Sequence, residues 1–127
     1  MATLAVLADK FATQERPAGN LLDPETVLAQ GVAATRFYAG FAAIRSREGA
    51  DPVPDIDGAT EISDSEWALI RPLFLLYAER ETALQLEASR GMGIDPFGRA
   101  ASEIAGDIAQ AEAEMPHRAF CQPILTV

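Results

Sequence analysis

The sequence has 127 residues, 49% of them hydrophobic, and its 10 basic and 19 acidic residues give a net charge of −9. A chain of this length usually forms one domain, and its apolar fraction excludes a chain that is disordered throughout. Nucleic-acid binders neutralise phosphates with clustered Lys and Arg, so the acidic balance and the single lysine, Lys10, argue against tight phosphate contact. Such a charge suits a surface past which DNA slides without specific binding, or it only keeps the protein soluble.

Cysteine usage and hydropathy indicate an intracellular protein. The single cysteine, Cys121, excludes an intrachain disulfide, which fits a reducing compartment. No N-terminal stretch combines a basic start with an adequate apolar run, so we expect no signal peptide. The longest apolar block, residues 67–78, is interrupted by Arg71 and is too short to cross a bilayer, so we expect no membrane partner.

The first part of the chain predicts an arm followed by a helix. Residues 1–22 indicate an N-terminal arm with room for a short helix or strand. Asp23-Pro24-Glu25 then supplies a capping side chain, a proline at the first helical position and an acid in the first turn. The following pattern favours a helix, but Gly31 and Gly40 would each weaken it by about 1 kcal/mol relative to Ala. A short helix ending near Gly31, with a strand over residues 32–43, is the alternative.

The middle of the chain predicts a loop and then the longest helix. Residues 45–60 lack an apolar period and read as a loop, with a strand end at residues 59–62 and room for a short β-hairpin within residues 32–62. Ser63 and Glu66 have the spacing of a capping box, so a helix should run from Ser63 to about Arg90 and end at Gly91-Met92-Gly93. Pro72 predicts a kink, or a first turn that forms a separate piece.

A second long helix is predicted after Asp95-Pro96, which repeats the earlier start signal. It should end at Pro116. The residues from 117 to 127 should form an extended C-terminal arm, because Pro116 and Pro123 prevent a helix there. Its apolar positions recur at four, three, four, three and four: Phe97, Ala101, Ile104, Ile108, Ala111 and Met115. We therefore expect a single, mainly α domain whose core over residues 23–116 contains an antiparallel helical hairpin or small bundle.

The helix from residue 63 carries more apolar surface than one stripe. Between Trp67 and Tyr77 only Arg71 is charged, and the apolar residues form two seams, one of which a chain this short should leave for another polypeptide to cover. The alternative is a central helix wrapped by its own domain. The apolar C-terminal arm points to the same kind of contact, with a tail folded back onto its own helices as the alternative. Glu81 lies in line with one seam and needs an arginine partner from this chain or a neighbour, unless it lies at a solvated end of the helix. The predicted subunit interface comprises Trp67, Ile70, Leu73, Phe74, Tyr77, Glu81, Phe120, Ile124, Leu125 and Val127.

Catalytic and metal-binding patterns are absent from the sequence. His117 and Cys121 are the only histidine and cysteine, and no third group is evident that would orient them for nucleophilic catalysis. Zinc usually takes three or four such ligands. The acidic residues of the loop, Asp51, Asp55, Asp57 and Glu61, lack the spacing of an EF-hand. We therefore expect neither an enzyme nor a cofactor.

Three segments resemble small virion proteins of tailed bacteriophages: residues 61–81, residues 86–99 and the ending from Ala119 to Val127. The resemblance covers about residues 59–127 and rests on the general sequence pattern and not on a defined active-site motif. Residues 1–58 show no such resemblance. It implies a head-completion or head–tail adaptor protein that forms a ring under the portal, with terminal arms docked on the portal or on neighbouring connector or tail proteins. It also implies a virion protein that assembles in the host cytoplasm.

Two other roles fit the same residues. One is a tail or capsid accessory protein, such as a tail-completion or decoration subunit. The other is a small acidic regulator or inhibitor that binds a host protein. All three roles share one requirement, namely a surface that binds another polypeptide.

Overall fold

The computed structural model describes residues 2–15, 22–50, 52–88 and 101–121. Within these residues the chain forms four α-helices: α1 (Leu4–Lys10), α2 (Pro24–Ala39), α3 (Asp64–Ala88) and α4 (Ala101–Cys121). A π-helical turn, Phe11–Glu15, follows α1, and a 3₁₀ turn, Arg45–Arg47, interrupts the long loop. Two short strands, β1 (Ala2–Thr3) and β2 (Glu61–Ile62), complete the described elements. The predicted mainly helical class is confirmed.

The two strands form an antiparallel pair in which Ala2 lies opposite Ile62 and Thr3 lies opposite Glu61. The pairing continues into α1, because the backbone N–H groups of Leu4 and Ala5 donate to the carbonyls of Thr60 (3.0 Å) and Gly58 (2.9 Å). The predicted strand end before α3 is therefore present. Its partner is the start of the chain and not a segment within residues 32–62.

The predicted N-terminal arm is wrong for the described part of residues 1–22, because this segment folds into the core. The side-chain oxygen of Thr3 accepts from the backbone N–H of Val6 (3.3 Å) and caps α1. Leu4, Ala8 and Phe11 follow at intervals of four and three, which places them on one helical face, and all three are buried.

Helix α2 begins where the sequence predicts and does not end at Gly31. The Asp23 carboxylate accepts from the backbone N–H of Thr26 (2.7 Å), and this hydrogen bond lowers the pKa of Asp23. The helix continues for two further turns and buries Ala34 and Tyr38, so the alternative with a strand after Gly31 is wrong. Burial of this face against α1 and α3 outweighs the low helix propensity of one glycine.

Helix α3 begins with the predicted capping box. The backbone N–H of Ser63 donates to Glu66 Oε1 (2.9 Å), and the backbone N–H of Glu66 donates to Ser63 Oγ (3.3 Å). The helix is continuous through Pro72, so its first turn is not a separate piece. Pro72 is exposed, which keeps its ring on the solvent side of the helix. The predicted end at residues 91–93 lies outside the described residues.

Helix α4 carries the predicted apolar stripe but does not end at Pro116. Ile104, Ile108 and Met115 are buried, whereas Phe97 and the predicted start at residues 95–96 lie outside the described residues. The helix runs through Pro116 to Cys121, so residues 117–121 are helical and not extended. Pro116 is exposed like Pro72, so the backbone carbonyl that loses its partner has access to water.

The predicted antiparallel hairpin is formed by α3 and α4. Tyr77 Oη donates to Glu112 (2.5 Å), and ten residues further along α3, Glu87 accepts from the backbone N–H of Ala101 (3.1 Å). Since the partner number falls as the α3 number rises, the two helices run in opposite directions. Helix α2 packs on α3 as well, and α1 packs on α2, so the core lies around α3.

Two exposed glycines test the backbone conformation at a helical position and at a turn. Gly106 lies in α4, and a Cβ added there would have no heavy atom within 4 Å, so Gly106→Ala should raise the free energy of unfolding by about 0.8–1.0 kcal/mol. Gly49 has a φ of 76°, so Gly49→Ala should lower it by about 1 kcal/mol. Urea denaturation measures both changes. A Gly106→Ala variant no more stable than the wild type would contradict the helical assignment at this position.

Candidate protein-binding surfaces

Four of the predicted interface residues lie inside the chain's own core. Ile70, Leu73, Phe74 and Tyr77 have relative exposures of 0%, 1%, 1% and 6%. The seam formed by Trp67, Ile70, Phe74 and Tyr77 is therefore covered largely by the chain itself, whereas Leu69 and Leu76 of the second seam are half-buried. Helices α1, α2 and α4 all contribute buried side chains to the same cluster, and together they cover one side of α3. These four side chains are not available to a partner.

The rest of the predicted interface is only partly described. Trp67 is half-buried, and its ring lies 5.4 Å from that of Phe74, so most of it packs on the core. Glu81 is also half-buried, and within the described ranges no arginine forms an ion pair with it. The side chain of Phe120 and the whole of Ile124, Leu125 and Val127 lie outside the described residues.

A buried carboxylate fixes the start of α3 to the long loop. Glu66 is 2% exposed. One of its oxygens accepts from the backbone N–H and hydroxyl of Ser63, both at 2.9 Å, and the other accepts from the backbone N–H of Arg45 (3.0 Å). The capping box predicts the first of these contacts. The contact with Arg45, 21 residues away, has no sequence signal and makes Glu66 a tertiary link.

A second polar contact joins the middle of α3 to α4. Tyr77 donates to Glu112, and the guanidinium carbon of Arg80 lies 5.0 Å from the centre of the Tyr77 ring. Burial, followed by the hydrogen bond and charge of Glu112, raises the pKa of Tyr77 well above its ordinary value, and the charge of Arg80 opposes the rise. This arrangement stabilises the protonated phenol, and the hydrogen bond holds α3 against α4.

Among the described residues, the most exposed aromatic side chain lies at the end of α2. Phe41 is 47% exposed, and its ring centre is 5.4 Å from that of the half-buried Phe37. Ala29 and Ala33 precede these rings at intervals of four residues and are also exposed. We call Ala29, Ala33, Phe37 and Phe41 the α2 face. It forms an apolar strip on the outside of the molecule with no covering element among the described residues.

A narrow groove runs between α1 and the first turns of α2. It has a volume of about 220 Å³ and is lined by Ala5, Ala8, Ala12, Pro24 and Leu28, with the carboxylates of Asp9 and Glu25 at its edge. Gly58 packs against two of these lining residues, because a Cβ added there would lie 3.2 Å from Leu28 and 3.5 Å from Ala5. We call this the α1–α2 groove. The sequence does not predict it, since Ala5, Ala8 and Ala12 have no distinctive pattern outside the fold.

The residues considered for catalysis or metal binding do not assemble into a site in the described part of the chain. His117 is exposed on α4, and the Cys121 side chain lies outside the described residues. An open hollow of about 350 Å³ in the long loop is lined in part by Asp55, Asp57 and Glu61, beside Arg47. No group of three or more potential metal ligands occurs in the ranges that the structure covers.

None of the described helices combines the length and apolar character that crossing a membrane would require.

Comparisons with family models, curated proteins and solved structures give no match to this chain. Functional inference therefore rests on the surfaces described above and on the sequence resemblance.

Replacing Glu66 tests the link between α3 and the loop. In Glu66→Gln the amide nitrogen must face one of the N–H donors in either orientation, so the variant should lose about 1–3 kcal/mol of unfolding free energy. Asp64→Asn is the matched control, since Asp64 is exposed in the same helical turn and its loss should cost less than about 1 kcal/mol. Equal losses in the two variants would exclude a special role for Glu66.

Tyr77 should make stability fall at alkaline pH. Its pKa in the folded chain is raised above the ordinary tyrosine value of about 10, so its contribution is complete below pH 10 and decreases as the pH rises above it. Tyr77→Phe should lose about 1–2 kcal/mol near neutral pH through the missing hydrogen bond. The difference from wild type should shrink above pH 10, as measured by urea denaturation. A difference that does not vary with pH would contradict this account.

Proposed function

We propose that this chain is a structural assembly subunit of a phage head-to-tail connector, an adaptor or head-completion ring that joins the portal to tail components. The single observation that carries the proposal is the α2 face, an apolar strip in which Ala29, Ala33 and Phe41 are exposed and Phe37 is half-buried. Burying one large apolar side chain contributes about 1.5–3 kcal/mol, so burial of this strip against a protein partner would stabilise the complex. The sequence resemblance supplies the connector role.

The occupant that we propose for the α2 face is a second copy of the chain. Copies with a net charge of −9 repel one another over most of their surfaces. The α2 face itself carries no charge, and its exposed flanking residues, Glu25 and Arg36, have opposite signs. Two copies therefore approach with the least repulsion when one of them presents this strip. A ring needs each copy to contact its neighbour through a different surface, so the α2 face would form one half of the contact.

The acidic surface has a role in the same proposal. A connector surrounds the path of DNA, and a surface rich in carboxylates repels phosphates and keeps the duplex from adhering. The described residues that face solvent on α4 include Glu103 and Asp107, both exposed. The proposal therefore includes passage of DNA without specific binding.

Phe41→Ser tests the α2 face. Sedimentation velocity over a range of concentrations should show self-association of the wild type, and the variant should associate about tenfold or more weakly because it loses a large apolar contact. Leu84→Ser is the matched control, since Leu84 is 45% exposed but belongs to α3 and not to the α2 face. A wild-type protein that stays monomeric at every concentration, or equal effects of the two substitutions, would refute this role of the α2 face.

Mass spectrometry of purified particles tests the connector role separately. The protein should be present at a fixed copy number and should remain with the neck when heads and tails are separated. Recovery with isolated tails or capsid shells would favour an accessory subunit. Absence from particles would favour the soluble regulator.

A further inference from the structure

The α1–α2 groove has the size of a site for one side chain. Pockets that hold whole small molecules usually measure about 300–1,000 Å³, and the groove offers about 220 Å³. Its lining is formed mainly by methyl groups of alanine, by Pro24 and by Leu28. An aliphatic side chain that enters the groove would contact these apolar atoms.

Carboxylates at the edge of the groove favour positively charged residues on either side of that side chain. Asp9 and Glu25 are exposed carboxylates at the groove's edge, one contributed by each helix. Among the residues that the structure describes, neither side chain pairs with a basic group. A segment carrying positive charges beside its apolar residue would meet both carboxylates, whereas an acidic segment would be repelled.

We propose that the α1–α2 groove binds a short basic segment of a different protein, with an aliphatic side chain inserted between the helices and Lys or Arg residues facing Asp9 and Glu25. A second copy of this chain is a poor occupant, because copies share the same net charge of −9. The inference goes beyond the proposed connector role, since it concerns a separate surface and names the chemistry of a heterologous partner.

A synthetic peptide tests the groove directly. The probe is the acetylated and amidated tripeptide Lys-Leu-Lys, titrated into the full-length protein and followed by NMR of its methyl groups. The methyl signals of Ala5, Ala12 and Leu28 should shift. Lys-Ser-Lys should bind about tenfold or more weakly because it lacks the aliphatic group, and Glu-Leu-Glu should not bind at measurable strength.

Two variants locate the binding. Ala12→Leu fills the groove and should abolish the shifts. The double variant Asp9→Lys, Glu25→Gln keeps the apolar lining and should weaken Lys-Leu-Lys about two- to fivefold for each carboxylate changed. Glu48→Lys, an exposed charge reversal in the long loop, is the control and should leave binding unchanged. Because the double variant alters only exposed side chains, it remains informative if Ala12→Leu does not fold.

Other outcomes would overturn the inference. Absence of shifts up to the solubility limit of Lys-Leu-Lys, or equal binding of Lys-Ser-Lys, excludes an apolar anchor. Self-association that Ala12→Leu abolishes would identify a second copy as the occupant. Phe41→Ser should leave binding of Lys-Leu-Lys unchanged. Loss of peptide binding in the groove can therefore be distinguished from loss of self-association through the α2 face.

Discussion

The fold depends on how the chain surrounds Phe74. This ring lies near the centre of α3. Its centre is 5.1 Å from that of the Phe11 ring in an edge-to-face arrangement, and it contacts Trp67 within its own helix. On the other side lies Gly31 of α2, where an added Cβ would stand 3.8 Å from the ring. One aromatic side chain thus joins three helical segments. The neighbours of this largely apolar helix pack against it with a small residue, Gly31, on one segment and a large one, Phe11, on another.

The sequence predicts elements whose signals are local. The caps at Asp23 and Ser63 and the apolar stripe of α4 are examples, because each depends on residues within a few turns. Predictions that require knowledge of distant neighbours are less successful. Pro116 looks like a helix end until its ring is placed on the solvent side, and Leu4 looks like part of an arm until α2 and α3 are placed against it.

The same distinction applies to the surfaces. The excess of apolar residues on α3 is visible in the sequence, but which of them remain exposed depends on how much of α3 the other helices cover. Phe41, at the end of α2, keeps nearly half of its surface in solvent, whereas Phe74 keeps almost none. Both have helical spacing with their neighbours. Exposure is a property of the whole fold, so the α2 face and the α1–α2 groove emerge only when the helices are assembled.

Three side chains hold the long loop by donating hydrogen bonds to backbone carbonyls. Arg36 donates to the backbone carbonyl of Ile56 (3.3 Å), Arg47 donates to that of Pro54 (2.8 Å), and Ser46 donates to that of Glu61 (2.8 Å). Every residue has a backbone carbonyl, so these contacts do not depend on which side chains the accepting positions carry. The exposed Val53 can therefore be replaced without changing the path of the loop, whereas replacement of either arginine would remove one of these contacts. The segment thereby becomes a place where new recognition sequences can arise on a fixed frame.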